Sequence, residues 1–227
     1  MIRIYKNLIF IIFLTFSFES NAHVQHYESL KKIEFDIFRN NKHIGKHTFS
    51  FKKSNDLLTV ESEINFEIKK FGVVLYKYHV KGTEFFKDGQ LVKFNSKTNS
   101  NGKKKYVNLK LEGEELVIDG SSFKGNVSSD FLLGTWWNHS IVKAKAQISA
   151  VSGRIIHQKV SFLGKETLLI NGKSYNTLHF NFSSTDKKLD KDKKLNTDVW
   201  YDEETLNWMK ATFKKKGNWE YRLVLIE

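Results

Sequence analysis

The stretch LLTVESEINFEIKK, residues 57–70, settles the class of fold, because apolar and polar side chains alternate along it. Leu58, Val60, Ile64, Phe66 and Ile68 stand on one side; Thr59, Glu61, Glu63, Asn65, Glu67 and Lys69 stand on the other. A period of two marks an extended strand with one buried and one wet face, which is the habit of antiparallel sheets. The alternation recurs in Ile33, Phe35 and Ile37 against Glu34 and Asp36, and in Val74, Tyr76, Tyr78 and Val80 against Lys77, His79 and Lys81. Val107, Leu109 and Leu111 against Asn108 and Lys110 repeat it. Later strands are predicted over 155–163, 166–170, 175–182, 197–201, 206–213 and 219–226, the last presenting Trp219, Tyr221, Leu223 and Leu225 to one face.

Asp88-Gly89, Asn101-Gly102, Asp119-Gly120 and Asn171-Gly172 supply the residues that two-residue primed turns demand, so the strands form a meander. Only 128–138 interrupts it. There Ser128 or Ser129 is placed to cap a short helix running through Asp130, Phe131, Leu132 and Leu133 toward Trp136-Trp137, or the segment is a crossover. It divides about eight N-terminal strands from about six C-terminal ones, numbers at which a sheet must curl. The predicted fold is therefore all-β: a single strongly curved antiparallel meander sheet, a β-roll or partly closed barrel. Asp186 to Lys194, reading DKKLDKDKK, has almost nothing to bury and reads as a solvated loop.

The beginning of the chain has its own pattern. Arg3 and Lys6 precede an apolar run from Leu8 to Phe16, and Ser20-Asn21-Ala22 offers the small residues a signal peptidase reads. Residues 1–22 are expected to be a signal peptide and 23–227 one all-β domain, periplasmic or secreted and not membrane-spanning after cleavage. The apolar run is shorter than the roughly 20 residues of a membrane span. No cysteine occurs, which excludes disulfides, a lipid-modified cysteine and thiol catalysis. The chain holds 37 Lys and Arg against 25 Asp and Glu, a net charge of +12. Such a surface draws anionic partners; after export these would be anionic lipid or polysaccharide, not nucleic acid. The absence of proline and the wealth of Lys, Asn, Ile and Phe also fit the plain product of an AT-rich genome.

Reaction machinery is sparse. There is no nucleophile elbow, no phosphate loop and no zinc-protease helix signature, and the carboxylate pairs, such as Glu61 and Glu63, sit two apart as wet-face residues do. No catalytic residue and no cofactor is assigned. Cleavage after Ala22 would free the amino group of His23 with His26 three residues on, a weak copper site set against a frayed terminus. His47, His79, His157 and His179 are read as exposed. The tryptophans carry more weight: Trp136, Trp137 and Trp200 are the candidate ligand-binding residues, set against ordinary core packing. Adjacent Trp136 and Trp137 cannot point the same way on a strand, so one is expected at the surface.

Several pieces together resemble a family of exported bacterial proteins classed as a domain of unknown function and similar in pattern to the spiral β-roll group. They are Phe38 to His47, Tyr76 to Gly89 ahead of Asn99 to Gly102, Thr135-Trp136-Trp137-Asn138, Ser152-Gly153, and Val199 to Glu203 with Trp208, Phe213, Gly217 and Tyr221. The resemblance implies a rolled sheet in the cell envelope and carries over no functional residue. The functional expectation is a non-catalytic binding module for a hydrophobic or lipid-like, possibly anionic ligand. A structural or protein-interaction component of the envelope is second, and a hydrolase or copper-binding protein third.

Overall fold

The structure, a computed structural model, describes residues 26–190 and 193–227. The expected signal peptide and His23 lie outside these residues, as does the side chain of His26, so the copper pair finds no test here. The strands are β1 (Lys32–Arg39), β2 (Lys42–Ser54), β3 (Leu57–Lys70), β4 (Val73–Lys87), β5 (Gln90–Ser100), β6 (Lys103–Glu112), β7 (Glu115–Gly120) and β8 (Lys124–Ser128). They continue as β9 (Leu132–Leu133), β10 (Ala146–Ile148), β11 (Ile155–Ile170), β12 (Lys173–Ser184), β13 (Asn196–Asp202), β14 (Trp208–Lys214) and β15 (Asn218–Ile226).

All fifteen join one sheet, in the order β8-β7-β6-β5-β4-β3-β2-β1-β15-β14-β13-β12-β11-β10-β9. The first and last strands thus lie side by side at the middle, and the meander runs outward from them in both directions. Every neighbouring pair is antiparallel except β9 with β10. The two edges, β8 and β9, are separated by only residues 129–131, a link that spans at most about 14 Å. Edges tied that closely force a sheet of this width to roll up. No ladder joins β8 to β9, so the roll stays open.

Hydrogen bonds from the β7–β8 turn and from β5 to the segment between β10 and β11 hold the two walls together at the seam instead. Ser122 N donates to Ser152 O at 2.8 Å, and Ser96 Oγ donates to Ala150 O at 2.5 Å. At Gly120 an added Cβ would lie 2.7 Å from Ser152 O, so the two walls meet where only glycine fits. Gly45 is tighter still: a Cβ there would sit 2.1 Å from Asn65 O on the neighbouring strand.

The alternation read from residues 57–70 holds in β1, where Ile33, Phe35 and Ile37 are fully buried, and in β2, where the inward set is His47, Phe49 and Phe51. His47 is therefore core rather than exposed, because it keeps step with the two phenylalanines that follow it.

Four local expectations change. The two strands expected over 155–163 and 166–170 are one, β11, carried through by a bulge between Phe162 and Gly164, whose φ of 134° only glycine tolerates. Asp119-Gly120 closes β7, and the turn follows it. Of the helix and the crossover expected over 128–138, the helix does not form and the crossover does, a run of turns after Ser128 in which Leu132 and Leu133 alone form a strand and pair with β10; a 3-10 turn comes later, at His139–Lys143, capped by the Asn138 side chain accepting from Ser140 N at 3.0 Å. In β15 a bulge around Val224 turns Leu225 outward and Ile226 toward the core.

Candidate binding sites at the basic end

The roll has two ends. One carries the turns at 40–41, 71–72, 101–102, 121–123 and 215–217 with the long 185–195 connection; the other carries 55–56, 88–89, 113–114, 171–172 and 203–207. Hydrogen bonds knit the first group: Asn40 N donates to Asn218 O at 2.8 Å, and Arg154 Nη2 donates to Lys193 O at 3.1 Å. This end collects Lys42, Lys69, Lys70, Lys103, Lys104, Lys193, Lys194, Lys214, Lys215 and Lys216, because the lysine runs fall at strand ends that antiparallel pairing brings together.

The concave face is occupied. Trp137 from the crossover is fully buried, with its ring edge-on to Tyr27 at 5.0 Å, Phe51 at 5.4 Å and Phe86 at 5.5 Å. Its indole N–H donates to Glu84 Oε1 at 2.9 Å. Burial pushes the Glu84 carboxyl up to about 7, although the Trp137 and Thr135 donors oppose the rise. His47, packed among Phe35, Phe49, Trp208 and Tyr221, is pushed down to about 3 by burial and stays neutral.

The three tryptophans singled out from sequence go to three places. Trp137 is core. Trp200 is 7% exposed, its ring stacked on His179 at 4.0 Å and its N–H donating to Glu166 Oε2 at 3.0 Å. His179 Nδ1 lies 2.7 Å from Glu166 Oε1, and Lys210 Nζ sits 4.9 Å from the Trp200 ring centre. The Trp200 N–H and His179 hold the Glu166 carboxyl below the usual carboxylate range. The other histidines read as exposed divide: His79 pairs with Glu63 at 2.7 Å, and His157 is exposed beside Phe131.

Trp136 opens on a cleft. Its backbone has a φ of 62°, a left-handed conformation uncommon for a bulky residue, and its ring packs edge-on to Trp208 at 5.6 Å and Tyr221 at 6.2 Å. Its indole N–H is buried and has no hydrogen-bond partner among the described residues. The cleft, about 400 Å³, is lined by Trp136, Ile156, Leu195 and Phe213 together with Arg154, Lys193, Lys194, Lys214 and Lys215, with Asn196 and Thr197 between them, and no carboxylate is among the described residues that line it. Asp190 engages Lys193 at 2.7 Å from outside the lining. An apolar floor under a cationic rim fits a molecule with an acidic head and an apolar body.

Sequence reasoning found the indole and missed the rim. Its signal was present in Lys193-Lys194 and Lys214-Lys215-Lys216, but only the pairing of β13 with β14 places the two runs together. A larger groove of about 700 Å³ lies on the outer face between His79, Lys81, Lys97, Lys104, Lys105 and Tyr106, and there Glu63 already engages His79 and Lys81. Among the described residues no group of three or more His, Cys, Asp or Glu side chains is placed to hold a metal ion.

Sheet and seam together define a rolled single-sheet β protein of barrel-like form. A β-barrel-like protein of the domain of unknown function DUF1849 from Brucella abortus is similar in fold, with a TM-score of 0.59 at 11% identity over 87% of this chain and 97% of that chain. A DUF1329 family protein from Desulfovibrio piger aligns over 91% and 89% of the two chains at 9% identity, but with a TM-score of only 0.26. No match was found among curated proteins. The DUF6134 profile, a domain of unknown function, matches residues 35–224, and the chain belongs to that family.

Proposed function

We propose that this protein is a non-catalytic binding module of the cell envelope whose ligand is an anionic amphiphile seated in the Trp136 cleft. The observation that carries this reading is the lining itself: five cationic side chains above four apolar ones, with no carboxylate among the described residues of the lining. Trp136 supports it as the aromatic part of that lining, and its N–H, without an acceptor among the described residues, is a donor open to a ligand oxygen if the ring turns toward the cleft. The hydrophobic or lipid-like ligand expected from the sequence is assigned to this cleft rather than to the concave face, because Trp137 fills the concave face. Export by cleavage after Ala22 is part of the proposal and would place the module where anionic lipids and glycolipids are its neighbours.

The test is a titration with monomeric lysophosphatidylglycerol and lysophosphatidylcholine, read by isothermal calorimetry. The anionic lipid binds more tightly, and Lys194→Glu with Lys215→Glu weakens it about a hundredfold while leaving the melting temperature unchanged, each reversed charge removing a tenfold step. Trp136→Phe, which keeps the ring packing and removes the N–H, weakens it less. Equal binding of the two lipids, or none, overturns the reading.

A further inference from the structure

The hairpin of β3 and β4 reaches past the 101–102 turn beside it. On its other side it parts from β2, whose first residues and 40–41 turn run on to a similar level without pairing with it. On its β2 side the last paired residue is Phe66, opposite Gly45, and on its β5 side it is Tyr78, opposite Ser100. From there to the turn the two strands pair only with each other, ending at Lys70 opposite Val73. Five residues beyond Phe66 carry the tip about 16 Å outward. A two-stranded ribbon without a third strand should be polar to survive in water, yet this one ends in Phe71, 93% exposed, Val73, 62% exposed, and Leu75, 55% exposed.

The turn chemistry is equally unusual. The turns at Asp88-Gly89, Asn101-Gly102 and Asn171-Gly172 put Asp or Asn at the first, positive-φ position, where those residues fit. At Phe71-Gly72 the same conformation, with φ 50° and 79°, is taken by phenylalanine, for which it is strained. Among the described residues nothing rewards that choice, as the ring is exposed, is not part of the core and has the ammonium of Lys70 at 5.5 Å as its ring contact.

Cations surround the tip. Lys69 and Lys77 flank it, both engaged by Glu67 at 3.0 and 3.1 Å. Lys70, Lys42, Lys103 and Lys104 stand exposed on the tip and on the turns beside it, and Asn101 N donates to Lys77 O at 2.8 Å, holding the neighbouring turn against the ribbon. An apolar aromatic point ringed by lysines is complementary to an anionic bilayer surface, with the ring entering the headgroup boundary and the ammonium groups meeting lipid phosphates.

We infer that the tip of this hairpin docks the protein on anionic membrane, Phe71 being the inserted residue. This site is separate from the Trp136 cleft, although both open at the same end of the roll. The complete lack of cysteine permits a clean test on the full chain. Leu75→Cys, labelled with an environment-sensitive fluorophore, reports the tip, and Glu114→Cys, on a turn at the opposite end, is the control. With phosphatidylglycerol vesicles the label at 75 shifts to the blue and is quenched by lipids brominated in the acyl chain, while the label at 114 does neither. Adding Phe71→Asp lowers the apparent vesicle affinity at least tenfold, raised salt weakens it, and phosphatidylcholine vesicles give no shift. Equal responses from both labels, or a response at 75 that Phe71→Asp leaves intact, overturns the inference. Because the cleft is tested with monomeric lipid, either site can fail without the other.

Discussion

Glu84 and His47 share the interior of the roll, and burial moves them in opposite senses. A carboxyl raised from 4.5 to about 7 holds its proton more tightly in the folded than in the unfolded chain, so it removes stability as pH rises through that window. An imidazole lowered from 6.5 to about 3 does the reverse: its contribution is complete above 6.5 and drains away as pH falls toward 3. Glu84→Gln keeps an oxygen to accept the Trp137 N–H and deletes the first effect. The difference in unfolding free energy between variant and wild type, measured in urea at a series of pH values, should therefore grow from near pH 4.5 upward and reach about 3 kcal/mol at neutral pH in the variant's favour. A pH-independent difference would show that Glu84 does not titrate with folding. Neither buried group was legible as such in the sequence. Glu84 stands one residue before Phe85-Phe86 at a position whose inward direction is set by the strand's pairing, and His47 looked like one more histidine until the phase of β2 was fixed by Phe49 and Phe51.

Among the elements, the hairpins were read most reliably, because the β3 period and the Asp-Gly and Asn-Gly turns state the same register twice. Departures came where a bulge reset the phase, in β11 and β15, since one inserted residue leaves the composition of a strand unchanged while turning its side chains over. The crossover was located, and the structure decides between its two readings: serines 128 and 129 have capping chemistry, but pairing with β10 holds Leu132 and Leu133 extended and no helix forms there. This crossover plugs the roll through Trp137. Trp137→Ala should cost about 3–5 kcal/mol in a denaturant titration, both from the cavity and from the Glu84 oxygen left without its donor. Loss of less than about 1 kcal/mol would mean that the indole is not part of the core.

At the scale of the whole molecule, topology follows from one fact that sequence patterning does not contain: β1 pairs with β15. That pairing places the first and last strands at the centre of the sheet and the middle strands at both edges, and the three-residue link between β8 and β9 then draws the edges together. Strand number alone implied curvature; the direction in which the sheet rolls, and with it the assembly of one basic end, required the register. Both proposed sites belong to that end. The cleft takes its cations from the 185–195 connection, from Arg154 just before β11 and from the end of β14 with the turn after it, and the tip takes its own from its two strands and the turns of the other half. Only the indole of the cleft was visible beforehand, since lysine runs scattered over a chain with net charge +12 carry no address until the strands are paired.

The most direct measurement is native mass spectrometry of the protein isolated from its own cells without detergent, beside the Lys194→Glu, Lys215→Glu variant prepared identically. An anionic amphiphile in the cleft predicts a wild-type mass above that of the polypeptide by the mass of one acidic lipid or glycolipid, and its loss from the variant. A bare polypeptide in both preparations, or an adduct that survives the two charge reversals, would contradict the assignment of the Trp136 cleft.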